Sequence, residues 1–359
     1  EPLVLRANAG DCIKIDLANR LPQSLRDAAG DALMPKIVPL NVDQHASEGA
    51  QRAADVRPSS YVTLHPQLVS YNVASYNGAA IGFNGEEPVG PGQRKLYYWY
   101  AGTVSLEGDR LVHTATELLP ANLTSWGDII NHGSHGLVGA LIIEPAGATY
   151  HDPLSGARTE NGGTSAQITY PDPSTQASHS FREHVVLYRD GLNLHQRIAA
   201  GTTEPMPDCR VCDDSYDLGE KGFNYHSAPF QARLGQHPLA NLNGAWYPPD
   251  FFTPAYRSIP TTTYRAVPGE EVRFRVLQPH GRNRQHAFLV YGHDFPDLLP
   301  QFGSPHSPLI SIGKGLTVNI RHANPGYWLY RDGPTHMWAS GMWGSFVVGQ
   351  PPRKENAAQ

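Results

Sequence analysis

The sequence predicts an all-β protein made of two β-sandwich domains. Three observations favour this fold class: the composition, the alternation of apolar and polar residues, and a weak internal repeat. The 359 residues include 35 Gly and 31 Pro, and only 17% of them are charged. This composition is typical of many short strands joined by turns rather than of long helices. The length favours two or three domains.

The repeat consists of two pairs of similar segments. "RANAGDCIKIDL" (6–17) matches "RAVPGEEVRFRV" (265–276), because both lead from Arg-Ala through Gly and an acid into an alternating strand. "GLVGALIIEP" (136–145) matches "GMWGSFVVGQP" (341–351), because both contain Gly-x-x-Gly, an apolar strand and a proline. In each half the first segment opens a unit and the second closes it.

The domain boundaries follow from the repeat. We predict a first domain over 1–155, a linker over 156–180, a second domain over 181–352 and a tail over 353–359. The linker is predicted because 159–176 is rich in Gly, Ser, Thr and Pro. A loop-rich insertion is predicted at about 192–256 in the second domain.

Charge and hydropathy argue against two classes of function. The formal net charge is −5 and no run of Lys and Arg is present, so nothing predicts binding to nucleic acid. No apolar stretch approaches the roughly 20 residues of a membrane-spanning helix. The chain starts in a strand-like segment without an initiator methionine, and we expect a processed chain or a portion of a longer protein.

The three cysteines argue against a disulfide-rich scaffold, because their number is odd and small. Cys12 lies in an alternating strand and is predicted to be a buried, inert thiol. Cys209 and Cys212 form a single C-x-x-C, which is half of a zinc site. A local disulfide or a structural loop is the interpretation that we prefer for this pair.

Several segments resemble the cupredoxin domains of multicopper oxidases. These segments are "AGDCIKIDLANRLP", "HGLVGALIIEPAGATYHDP", "VRFRVLQPHGRNRQHAFLVYGHDF" and "PGYWLYRDGPTHMWASGMWGSFVV". "YNGAAIGFN" (76–84) is similar to a string in the large bacterial manganese-oxidase-like and copper-oxidase members. The resemblance implies two cupredoxin-like Greek-key sandwiches, copper as cofactor, an oxidoreductase activity and a periplasmic or extracellular location. It leaves the insertion unexplained.

The copper ligands of that family are largely missing. Its type 1 site uses a cysteine thiolate, two histidines and often a methionine, and its trinuclear cluster uses four H-x-H pairs. None of the 17 histidines here belongs to an H-x-H pair, and no cysteine follows Cys212. By the resemblance, His286 takes the first type 1 histidine position, Asp332 the cysteine, Met337 the second histidine and Met342 the methionine.

Five histidines remain candidates for a metal site, because imidazole is a common ligand of copper, zinc and iron. His65 stands alone where an H-x-H pair is expected, with Gln67 in place of its partner, and His132 and His135 are three residues apart. The candidate metal ligands are His65, His132, His135, His286 and His293. Each has an alternative interpretation as a hydrogen-bonded structural histidine.

Two functions compete. In the first, the chain is a copper-associated oxidoreductase or a portion of a larger one, with copper sites in further cupredoxin domains or subunits. In the second, it is a non-catalytic cupredoxin-fold structural or binding module of an extracytoplasmic assembly. A third, weaker interpretation is a sugar- or peptide-binding sandwich that uses exposed Trp126, Trp246 and Trp343. Clustering of the five histidines in the folded chain would favour the first.

Overall fold

The computed structural model describes most, but not all, of the chain. The described residues are 2–25, 58–79, 81, 84–85, 87–129, 131–159, 163–175, 177–190, 195–199, 202–205, 221–234, 251–253, 261–281, 285–295 and 307–349. Cys209 and Cys212, Trp246, the tail over 353–359 and most of the predicted insertion lie outside these residues, so their predictions are not addressed by the structure.

The described residues form an all-β protein, as predicted. The strands are β1 (Leu3–Asn8), β2 (Cys12–Ala18), β3 (His65–Pro66), β4 (Arg94–Tyr100), β5 (Gly102–Glu107), β6 (Arg110–Ala115), β7 (Ala121–Thr124), β8 (Val138–Glu144), β9 (Thr149–His151), β10 (Ser165–Pro171), β11 (Ser178–Arg189), β12 (His195–Ala199), β13 (Thr202–Pro205), β14 (Gly222–Phe223), β15 (Thr263–Ala266), β16 (Val272–Leu277), β17 (His286–Val290), β18 (Leu309–Ile310), β19 (Gly315–Ile320), β20 (Gly326–Asp332) and β21 (Trp343–Val348). The helices are short: α1 (Val73–Tyr76), α2 (Asn131–Ser134), α3 (Phe230–Leu234) and α4 (Thr335–Ala339).

The two halves of the chain contain the same sheet. In the first half the strand order is β1-β8-β7-β3, and in the second it is β15-β21-β20-β17-β18. In both, the opening strand runs parallel to the closing strand, and the closing strand is antiparallel to the one before it. The internal repeat therefore corresponds to a repeated topology.

The register of the two sheets is also the same. Arg6 pairs with Ile142, three residues after Gly139, and Arg265 pairs with Val347, three residues after Gly344. A Cβ atom on Gly139 would lie 2.8 Å from the carbonyl oxygen of Leu3, and one on Gly344 would lie 2.5 Å from that of Thr262. Glycine is needed at both positions because the neighbouring backbone is too close for a side chain.

The predicted linker contains paired strands. All of β10 and the start of β11 fall within 156–180, and both belong to the sheet β19-β16-β11-β10-β9. Ala166 and Ile168 of β10 alternate with half-buried residues and pack with Phe181. The Gly, Ser, Thr and Pro residues around β10 therefore surround a short amphipathic strand. The division into domains at the predicted boundaries stays a prediction.

A buried ion network joins the two halves. Arg6 Nη2 lies 2.7 Å from Glu183 Oε1, and Arg275 contacts Glu183 Oε2 at 3.0 Å and Glu144 Oε2 at 2.8 Å. Both glutamates are fully buried. Burial raises the pKa of Glu144, which shares a hydrogen bond with Glu183. β1 and β8 of the first half are thus tied to β11 and β16.

Cys12 is exposed, so the prediction of a buried thiol is wrong: the side chain lies on the outward face of β2. Among the described residues, no helix is long and apolar enough to cross a membrane.

Candidate functional site around His286

His286 opens β17 and is held by Asp332 at the end of β20. The two strands are antiparallel neighbours, with Phe288 opposite Asp332. His286 Nδ1 donates to Asp332 Oδ2 at 2.5 Å, and both side chains are fully buried. The other carboxylate oxygen accepts hydrogen bonds from the backbone N–H groups of Ala287 at 2.8 Å and Gly333 at 2.9 Å. The carboxylate is therefore fixed on both oxygens.

A second carboxylate faces the other side of the imidazole. Asp190 follows directly after β11, and its Oδ2 lies 3.5 Å from His286 Nε2. Burial opposes a charge on the ring, but the two aspartates outweigh it and raise the pKa of His286 to about 9. His286 is therefore a buried imidazolium between two acids at neutral pH.

The surroundings of this pair are polar as well. Gln278 is fully buried, and neither atom of its side-chain amide has a hydrogen-bond partner among the residues that the structure describes. Within the same residues, Tyr188 Oη and His280 Nδ1 also have none. A Cβ atom on Gly281 would lie 1.8 Å from Asp190 Oδ1 and 2.9 Å from Gln278 Nε2, which places these groups side by side. Buried polar groups of this kind are ordinarily satisfied by ordered water.

The cluster also reaches the first half of the chain. Arg189, the last residue of β11, donates to the carbonyl oxygen of Gly133 in α2. A Cβ atom on Gly133 would collide with the ring of His280 at 2.2 Å. The close contact between α2 and His280 therefore requires glycine at 133. The polar cluster is continuous with the junction between the halves.

The four positions that the resemblance assigns to a type 1 copper do converge. Met337 and Met342 are buried in one hydrophobic cluster, which also contains Phe288. Met342 N–H donates to Met337 O, and Asp332 N–H donates to Met342 O. Yet a type 1 copper needs a thiolate and a free imidazole nitrogen. Here a carboxylate replaces the thiolate and occupies the nitrogen, so these residues do not fit that copper.

His132 and His293 have hydrogen bonds on both ring nitrogens. His132 Nε2 donates to Ser59 O at 2.5 Å, and its Nδ1 lies 2.8 Å from Ser125 Oγ. His293 Nδ1 donates to Tyr291 O at 2.9 Å, and its Nε2 accepts from Asn324 N–H at 3.0 Å. Both arrangements are typical of structural histidines.

His65 and His135 both belong to the first half of the chain. His65 Nδ1 donates to Asn77 O at 2.6 Å, and its ring lies tilted against that of Trp126 with centroids 4.4 Å apart. His135 is exposed just after α2, two residues beyond Gly133, so it lies near the edge of the polar cluster that contains Arg189 and His280. Within the part of the chain that the structure describes, no group of three or more His, Cys, Asp or Glu residues could hold a metal ion. A metal role for the five histidines stays a prediction.

Sequence reasoning missed Asp190 and Gln278. Asp190 follows an apolar strand and precedes Gly191, which is typical of a turn, and only the packing of β11 against β17 gives it a partner. The signal that could have found it is an acid placed directly after a buried strand. Of the aromatic residues in the third interpretation, Trp126 is 42% exposed, whereas Trp343 is buried.

Comparison with known proteins finds similarity at the level of fold. No family model and no curated protein matches it. It is similar in fold to the copper nitrite reductase from Nitrosomonas europaea, with 15% identity over 97% of this chain and 82% of that chain and a TM-score of 0.49. It is also similar to a multicopper oxidase, with 14% identity over 97% and 78% of the chains and a TM-score of 0.47. Both scores are below 0.5, and the similarity is one of fold alone.

Proposed function

We propose that this chain is a cupredoxin-like module of a larger copper oxidoreductase, in which a buried ion pair takes the place of the type 1 copper. Its role is to support and bind the parts of the assembly that carry copper. One observation carries the proposal: the contact between His286 and Asp332.

The geometry of Asp332 supports this role. Its carboxylate is oriented by Ala287 N–H and Gly333 N–H and points at His286 Nδ1. A metal ion bound to that nitrogen would displace the carboxylate and remove the compensating charge from a buried site. The second ring nitrogen faces Asp190. That contact is an ion pair of 3.5 Å, beyond ordinary hydrogen-bond length, so the imidazolium is flanked by carboxylates on both sides and is hydrogen-bonded to Asp332.

The chemistry of the pair also argues for a static role. The pair bridges β17 and β20 deep in the second sheet, and both side chains are fully buried. Side chains without solvent exposure cannot exchange protons directly with bulk water. The ion network of Arg6, Glu183, Arg275 and Glu144 adds a second fixed link between the halves.

The partners and the compartment belong to the same proposal. Further cupredoxin domains or subunits would carry the copper and the substrate site, and the assembly would work in the periplasm or outside the cell. This follows from the resemblance of the sequence to multicopper oxidases and from the replaced copper residues.

The test is the metal content of the purified chain after incubation with copper and removal of excess, together with its electron paramagnetic resonance spectrum. We expect less than a stoichiometric amount of copper and no type 1 signal. His286→Gln is the matched variant, since it removes the imidazole at that position. Stoichiometric copper in the wild type that is lost in His286→Gln would contradict the proposal. Copper retained in that variant would locate a site at the other histidines.

A further inference from the structure

A groove of about 610 Å³ opens in the first half of the chain, far in sequence from His286. We call it the Tyr225 groove. Its lining residues are Pro2, Leu3, Leu17, Ala18, Asn19, Arg20, Leu21, Val62, Thr63, Leu64, Leu123, Ser125, His135, Gly136, Leu137, Val138, Gly139 and Tyr225. The volume lies within the range of small-molecule sites, roughly 300–1,000 Å³.

Tyr225 reaches the groove from the second half of the chain. It lies in a two-residue turn between Phe223 and His226, whose backbones exchange hydrogen bonds of 3.0 and 2.8 Å. Asn224 and Tyr225 have φ of +52° and +64°. A turn of this type prefers Asn followed by Gly, so a tyrosine at the second position is conformationally costly. When a side chain is kept at a position with an unfavourable backbone conformation, this indicates a functional role for that side chain.

The turn holds Tyr225 in place. Asn224 is buried, and its amide donates to Val185 O at 2.8 Å and to Tyr264 Oη at 2.7 Å, while its Oδ1 accepts from Leu187 N–H. Tyr225 Oη donates to Gly136 O at 3.1 Å, at the edge of the groove. The tyrosine therefore forms a rigid wall with a hydroxyl that still has acceptor capacity.

The charge of the lining selects the kind of ligand. Among the described residues that line the groove, Arg20 is the single ion at neutral pH, and none is an acid. Arg20 is exposed and lies two residues after the end of β2. Most of the other lining residues are apolar. Asn19 and Ser125, by contrast, use their side chains in hydrogen bonds inside the protein.

We propose that the Tyr225 groove binds a small monocarboxylate with an apolar body, such as an aliphatic or aromatic acid. Arg20 pairs with the carboxylate, and the leucine-rich walls cover the apolar part. The bidentate geometry of guanidinium and carboxylate suits this recognition. Neither His286 nor Asp332 lines the groove, so the proposal does not rest on the proposed function.

The experiment is a calorimetric titration of the chain with decanoate, and with 1-decanol as an uncharged probe of the same length. We expect saturable binding of decanoate that weakens by about tenfold in Arg20→Gln, because a hydrogen bond to a charged group is lost. The affinity for 1-decanol should be the same in Arg20→Gln as in the wild type. Arg110→Gln is the matched control, since Arg110 is exposed on β6 and does not line the groove.

A second variant locates the apolar part. Leu3 is 48% exposed and lines the groove, so Leu3→Trp narrows it without disturbing the core. We expect this variant to weaken both probes while its circular dichroism spectrum stays that of the wild type. Equal decanoate affinity in the wild type, Arg20→Gln and Leu3→Trp would overturn the proposal. Failure of decanoate to bind with saturation would overturn it as well.

Discussion

His286 Nδ1 lies 2.5 Å from Asp332 Oδ2, and neither side chain reaches solvent. The pair joins β17 to β20 at the place where the resemblance to multicopper oxidases expects a histidine and a cysteine bound to one copper. A buried charge keeps its place only if its partner is present. The first two predictions test this dependence.

Asp332→Asn should destabilise the chain strongly. The variant removes the charge opposite a buried imidazolium, and breaking a buried pair typically costs about 3–5 kcal/mol. The measurement is the free energy of unfolding from urea denaturation at pH 7. Asp16→Asn is the control, because Asp16 forms an exposed ion pair with Arg94 and should change little. Equal stability of the wild type and Asp332→Asn would contradict the assignment.

Stability should fall as the pH rises from about 6.5 to about 9. The pKa of His286 is raised to about 9 in the folded state, mainly by Asp190 and Asp332 against the effect of burial. The folded state therefore binds this proton more tightly than the unfolded state does. This stabilisation is fully present below the pKa of the unfolded histidine and is lost as the pH rises through the pKa of the folded one. The free energy of unfolding should therefore fall by about 3 kcal/mol over this range.

The corresponding measurement is a series of urea unfolding curves between pH 6 and pH 10 for the wild type and His286→Gln. The difference between the two isolates His286 from other groups, such as Glu144, whose pKa is also raised. A difference that does not vary with pH would show that His286 is not the responsible group.

Restoring the copper ligands should create a copper site. Met342 is hydrogen-bonded through its backbone to Asp332 and Met337, and His286 contacts Asp332. Asp332→Cys combined with Met337→His therefore supplies a thiolate and a second imidazole at these positions. We expect stoichiometric copper with the strong visible absorption of a copper–thiolate bond. Asp332→Ser combined with Met337→His lacks the thiolate and should not show that absorption. Identical spectra of the two double variants would mean that the four positions do not form one site.

Arg275→Met should weaken the junction between the halves. Arg275 compensates Glu183 and Glu144, and its loss leaves two buried carboxyl groups with less positive charge nearby. We expect a destabilisation of about 3–5 kcal/mol in urea unfolding. Arg273→Met is the matched control on the same strand, because Arg273 pairs with partly exposed acids and should cost about 1 kcal/mol or less. Similar losses in both variants would argue against a special role for the network.

The sequence was sufficient for features that depend on local pattern. The alternation and the Gly-x-x-Gly repeat predict the strands β2, β8, β16 and β21. The structure adds that the strands just before β2 and β16, β1 and β15, pair with β8 and β21 in the same register. The resemblance assigns Asp332 and His286 to two positions of one site, and these residues do meet. Such relationships survive because strand periodicity and sheet order fix which residues face each other.

Features that depend on distant packing could not be predicted in this way. Turn-forming residues surround the short apolar alternation of β10, so the sequence does not indicate a strand there. Cys12 faces outward although it lies in a strand. Asp190 and Tyr225 acquire their roles only when β11 and the turn after β14 pack against other parts of the chain. Three of the four hydrogen-bond partners of His132 and His293 are backbone groups, which no residue type in the sequence reveals.

The equal register of the two halves bears on the ancestry of the chain. Gly139 and Gly344 face equivalent carbonyl groups, which is expected when one gene segment was copied and both copies kept the same backbone. By that alignment Ser125 is the counterpart of Asp332, and each bonds a buried histidine, His132 in one copy and His286 in the other. The two halves therefore place a histidine at the same corner of the sheet from different elements, α2 after β7 in the first half and β17 before β20 in the second, with a hydroxyl as its partner in one half and a carboxylate in the other.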